Sequence, residues 1–175
     1  MKAFLGFCLA VSMALASSPA YGVDAIAIGG SASDTGSVPG TMPFAGLSVL
    51  EIAPATITLD PSDGEAVIPL TIQTFNSTGV DWDGLLFELT GGSFASAPFP
   101  VFGGPAATLG SGGFAATLNT PLNPGGTYLL SAQISVDTEP VVLSLTPIAP
   151  IPSPGSLVVC VVGLILLPGR RLGRG

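Results

Sequence analysis

A chain of 175 residues has room for one domain of ordinary size plus targeting segments, and not for two comfortable cores. With 47% hydrophobic and 9% charged residues, 24 glycines and 17 prolines, it suits short strands joined by many turns rather than helices. The formal charge is −7 and all four basic residues, Lys2, Arg170, Arg171 and Arg174, lie at the chain ends, so the acidic body cannot neutralise phosphates and nucleic acid is not an expected partner.

Residues 1–22, "MKAFLGFCLAVSMALASSPAYG", place Lys2 ahead of an apolar run from Ala3 to Ala16 and then small residues. This order predicts a signal helix, with Ala20-Tyr21-Gly22 meeting the small-x-small requirement of signal peptidase. Cleavage is expected after Gly22, with Ala20 as the alternative. A permanent anchor fits less well, because the run is short and no stop-transfer charges follow it. The two cysteines, Cys8 and Cys160, sit in the terminal apolar runs, so the exported body has no disulfide.

Residues 23–46 are rich in Gly, Ser and Pro and read as a loose leader, with an initial strand at Ala25–Ile28. Residues 47–146 then show period-two alternation, the signature of strands buried on one face. Apolar residues recur at Leu47 and Val49; Ile57 and Leu59; Ile68, Leu70 and Ile72; Leu130, Ala132, Ile134 and Val136; and Val141, Leu143 and Leu145. Ser48, Thr58, Thr71, Gln73, Ser131, Gln133, Ser135 and Ser144 fall on the water-facing positions. Between them lie the turn sequences "DPSDGE", "NSTG", "TGG", "GSGG" and "NPGG". The expected fold is therefore all-β, an antiparallel β-sandwich of immunoglobulin-like or jelly-roll-like kind. In residues 94–118 the prolines leave room only for edge strands or loops.

The stretch "QTFNSTGVDWDGLLFELTGGSF" (73–94) places Val80 and Trp82 on one face, with Leu85, Phe87 and Leu89 continuing it past a bend at Gly84. Trp82 then anchors the core; the functional alternative is an exposed ring stacking on a sugar. Asn76 opens a glycosylation sequon, although a turn is the expected role.

Glycoside hydrolysis would need two carboxylates, and Glu51, Asp60, Asp63, Glu65, Asp81, Asp83 and Glu88 supply candidates without any pair singled out by spacing. Calcium is the better-motivated use, since Asp60, Asp63 and Glu65 share one loop and Asp81 and Asp83 are two apart; ordinary turn-capping carboxylates are the expectation, with no cofactor required. A body without His or Cys holds neither a zinc site, nor a Ser-His triad, nor a thiolate.

After Thr146 the prolines at 147, 150, 152 and 154 predict an extended linker over 147–155. Residues 156–169 are expected to form a short transmembrane helix, with a buried β-branched strand of the domain as the alternative, and 170–175 a basic tail expected to stay cytoplasmic. Ser156 to Leu167 would cover only about 18 Å as a helix, well short of a hydrocarbon core, so a lasting span is disfavoured and transient membrane association expected. Proline motif, apolar helix and terminal arginines, in that order, resemble the C-terminal sorting signal of bacterial PEP-CTERM proteins. The matching residues are Pro152-Ser153-Pro154, the run Ser156–Leu167, and Arg170, Arg171 and Arg174. Ser153 stands where the family has glutamate, making this a variant P-x-P-G tail.

That resemblance implies a substrate of a membrane exosortase, cut near the proline motif and passed to the cell surface or extracellular polymer. The expectation is a secreted, non-enzymatic structural or adhesive protein. The alternatives are a carbohydrate-binding module with extracellular polysaccharide as partner, or a carboxylate-based glycoside hydrolase.

Overall fold

The computed structural model describes residues 22–64 and 66–150. The signal segment up to Tyr21, the sorting motif, the apolar tail and its arginines lie outside the described residues, as does Glu65. Among the described residues no helix is long and apolar enough to cross a membrane.

Among the described residues eleven strands follow one another: β1 (Val23–Gly30), β2 (Ala32–Asp34), β3 (Phe44–Val49), β4 (Ala55–Pro61), β5 (Val67–Asn76), β6 (Gly84–Thr90), β7 (Gly92–Pro100), β8 (Thr108–Leu109), β9 (Ala115–Leu118), β10 (Thr127–Val136) and β11 (Val141–Ile148). They form a six-stranded sheet in the order β1-β4-β11-β6-β9-β8 and a five-stranded sheet in the order β2-β3-β5-β10-β7. One hydrophobic cluster draws on both sheets, giving a β-sandwich-like arrangement.

Period two explains which side chains meet in that core. Leu47, Val49, Ile57, Leu59, Ile68, Leu70, Ile72, Leu130, Ala132, Ile134, Val141, Leu143 and Leu145 are all fully buried, and each Val, Leu or Ile side chain among them contributes about 1.5–3 kcal/mol by leaving water. Val136 at the end of its strand is only partly buried against the cluster.

Three expectations need correction. Residues 23–46 are not a loose leader, for β1 pairs with β4 along Val23–Gly30 and β2 pairs with β3. Alternation is weak there because Ala25 and Ala27 put only methyl groups toward solvent, while Ile26 and Ile28 pack against the core. Second, the five-stranded sheet is mixed, because β3 and β5 run parallel. The chain leaves the sheet after β3, traverses the opposite sheet as β4 and returns as β5, which is the crossover a parallel pair requires. Third, the last strand continues through Pro147 to Ile148.

Of the three prolines within central strands, Pro61 ends β4, while Pro69 in β5 and Pro147 in β11 lie further in. The latter two sit where a neighbour is missing: β3 begins opposite Thr71, and the pairing of β4 with β11 stops at Leu145. The absent N–H therefore interrupts no ladder on that side. Pro98 and Pro100 lie in β7, the edge of its sheet, as the sequence requires.

Between β6 and β7 the chain passes from one sheet to the other with Gly91 as its sole connecting residue. Its φ is +81°, and a Cβ there would stand 2.6 Å from the Pro140 carbonyl oxygen and 2.7 Å from that of Thr138. The Gly91 carbonyl accepts the N–H groups of Asp137 and Thr138 at 2.9 and 2.8 Å, locking this corner to the β10–β11 turn. Only glycine combines that conformation with that approach.

Candidate functional site

Trp82 is fully buried, and Leu85, Phe87 and Leu89 continue the core beyond it, so the tryptophan is an anchor and offers no exposed ring to a sugar. Val80 does not share its face: it is 46% exposed, because residues 76–80 close a turn before the chain rejoins the sheets. Asn76 makes that turn. Its Nδ2 donates to the carbonyls of Val80 at 2.8 Å and Leu122 at 3.0 Å, and its Oδ1 accepts from the Thr78 N–H and hydroxyl. The amide nitrogen is thus committed to backbone within the fold, in keeping with a turn role.

Glu51, Asp60, Asp63, Asp81, Asp83 and Glu88 are all exposed, and among the described residues no three potential metal ligands come together. Gly22 is buried at the start of β1, a position its sequence role did not predict. The sorting residues Pro152, Ser153 and Pro154 and the tail residues Arg170, Arg171 and Arg174 lie outside the described residues.

What the structure assembles instead is a surface without charge. Four neighbouring strands, β3, β5, β10 and β7, contain no Asp, Glu, Lys or Arg. Their registers set residues that are mostly polar or aromatic in rows across the outer face. One row runs Ser33, Ser48, Phe75, Thr127; the next Gly46, Gln73, Leu129; the third Phe44, Thr71, Ser131, Phe99. Beyond them Pro69 lies opposite Gln133, and Val67 opposite Ser135. Phe99 is 47% exposed, and Phe102 in the loop after β7 is 88% exposed.

A shallow cleft of about 370 Å³ opens at one end of this face, lined by Thr35, Ser48, Gln73, Phe75, Asn76, Ser77 and Gly125. Its walls are fixed by hydrogen bonds. The Ser48 and Ser77 hydroxyls share a hydrogen bond of 2.6 Å, and the Ser77 N–H donates to the Val49 carbonyl at 3.0 Å. The Gly125 N–H donates to the Asn76 carbonyl at 2.8 Å, holding the β9–β10 loop against β5. On the other side, the Thr35 N–H donates to the Gly46 carbonyl at 2.9 Å. Asp34 braces that turn: its Oδ1 accepts the N–H groups of Gly36 and Ser37 and the Ser37 hydroxyl, each at 2.9 Å. Those donors, led by the Gly36 amide, hold its carboxyl below the usual aspartate value.

The cleft can donate and accept neutral hydrogen bonds and offer the half-buried Phe75 ring. Its lining residues include no general acid or base and no counter-charge for an ion.

The alternation marks Ser48 and Gln73 as water-facing positions, and Phe75 is a cleft residue it leaves out. The available signal was an inversion of polarity in β5: extending the inward set Ile68, Leu70, Ile72 gives Thr74 and Asn76, which leaves Phe75 outside. No protein-family model, curated protein or solved structure matches the chain.

Proposed function

We propose that this chain is an exported, surface-sorted protein of the bacterial envelope whose β domain serves, without catalysis, as an adhesive or structural component of the extracellular polymer, binding neutral polysaccharide. The observation that carries this reading is the uncharged hydroxyl, amide and aromatic face ending in the Gln73–Phe75 cleft. A neutral sugar offers hydroxyls to Ser48, Gln73 and Ser77 and an apolar ring face to Phe75, whereas an anionic polymer would meet no cation in the cleft and an acidic body around it. The tail resembling a sorting signal supports the destination, signal peptidase and an exosortase being the processing partners. No metal ion is required for this role.

Two measurements test it. Secreted protein should sediment with an insoluble neutral glucan and not with an anionic polyuronate, and Phe75→Ala or Gln73→Ala should weaken retention at least about tenfold with an unchanged melting curve, in line with loss of a stacking or hydrogen-bonding anchor. Retention by the glucan that survives Phe75→Ala would sink the cleft as the binding site. Intact mass of material from cells and medium should end near Pro152–Ser156; secreted protein ending at Gly175 would overturn sorting.

A further inference from the structure

The seat of Gly22 bears on where the leader is removed. Gly22 is buried with φ +152°, and a Cβ on it would stand 2.1 Å from the Gly40 carbonyl oxygen. Its own carbonyl accepts the Ser62 N–H at 3.0 Å. The next residue, Val23, is 2% exposed, donates its N–H to the Gly40 carbonyl at 3.0 Å and accepts from the Gly40 N–H at 2.8 Å. The Gly22–Val23 peptide group, through both its carbonyl and its N–H, and the Val23–Asp24 group after it are thus part of the folded sheet edge.

Cleavage after Gly22 would cost the domain this arrangement. It would remove the acceptor for Ser62 and the residue filling the space beside Gly40. It would also turn the buried Val23 amide into a primary amine that is largely protonated near neutral pH, placing a charge where the structure holds a neutral N–H. Cleavage after Ala20 leaves all of these contacts in the product. It satisfies the same small-x-small requirement with Ser18 and Ala20. The glycine at position 22 then follows from the fold, which admits no side chain there.

We propose that the leader is removed after Ala20, the alternative site of the sequence reading, so that the mature chain begins at Tyr21 and keeps Gly22 as a structural residue; this rests on the export reading above. The step is hydrolysis of the Ala20–Tyr21 amide by signal peptidase: the C–N bond breaks, and water supplies the hydroxyl of the new Ala20 carboxyl and the hydrogen of the Tyr21 amine.

The full chain expressed in a secreting bacterium and read by N-terminal sequencing and intact mass tests this. A start at Tyr21 is expected. A start at Val23 would overturn the proposal while leaving export standing, and a start at Met1 in all fractions would overturn export and the proposal together. Ser18→Phe separates the two sites further, since it places bulk three residues before a cut after Ala20 but five before a cut after Gly22. The processed fraction should fall at least about tenfold, as the small-residue requirement dictates; undiminished processing would count against the site. Gly22→Ala should keep the Tyr21 start in pulse-labelled protein while lowering the melting temperature, and a Val23 start in that variant would again overturn it.

Discussion

The indole N–H of Trp82 donates to the Thr78 hydroxyl at 3.1 Å, and that hydroxyl is held at 2.8 Å from Asn76 Oδ1. A buried aromatic, a turn and the last inward residue of β5 are therefore one hydrogen-bonded unit. It is extended by a bridge in which Trp82 and Leu122 exchange both backbone bonds at 2.9 Å. Asn76 is its hub, 1% exposed and donating to two carbonyls. Asn76→Ala should cost about 2–4 kcal/mol by leaving the Val80 and Leu122 carbonyls short of their donors. Asn76→Asp should cost at least as much, since a carboxylate turns an acceptor toward both. Urea unfolding monitored by Trp82 fluorescence measures this, and a cost near zero would mean the unit is not coupled to the fold.

Tyr128 gives a pH dependence of definite sign. Its hydroxyl donates to the Thr120 carbonyl, pinning the β9–β10 loop that carries Gly125 to the cleft. Burial pushes its pKa up from 10.0 to about 12. Above the unfolded value the unfolded state has released a proton that the folded state keeps, so stability falls with rising pH. The contribution is whole below pH 10 and is lost between 10 and about 12. Tyr128→Phe should remove that alkaline loss and cost about 0.5–1.5 kcal/mol at neutral pH through the missing hydrogen bond. Melting curves from pH 8 to 12 on both proteins check this; parallel declines would assign the alkaline sensitivity to another group.

The core was legible in the sequence wherever two faces differ in polarity. Leu130, Ala132 and Ile134 alternate with Ser131, Gln133 and Ser135, and the structure buries the first set. Trp82 was legible for a related reason, as a large apolar surface in a small core. The parallel pairing of β3 with β5 was not, because it joins residues about 27 apart through a strand of the other sheet, and no local pattern encodes such a partner. Nor was the cleft: Thr35, Ser48, Phe75 and Gly125 come from four separate segments, each contributing a residue that reads locally as an ordinary turn or strand position. The seat of Gly22 was hidden differently, since a small residue there satisfied the leader pattern and left the glycine apparently explained.

The polarity inversion in β5 yields the last prediction. Thr74 is fully buried, directly opposite Leu47 on β3 and Tyr128 on β10, and its Oγ1 lacks a hydrogen-bond partner among the described residues. A hydroxyl in that position carries its desolvation cost without compensation, while its methyl packs as a valine methyl would. Thr74→Val keeps the branched shape and the strand preference and removes the polar atom. It should therefore stabilise the domain by about 1 kcal/mol, a rise in melting temperature of about 3–5 °C. Thr74→Ser, which keeps the hydroxyl and deletes the methyl, should move the melting temperature the other way. A loss of stability in Thr74→Val would mean that the hydroxyl is satisfied by a buried water. In that event Thr74 marks a water site between the two sheets rather than a tolerated defect of the core.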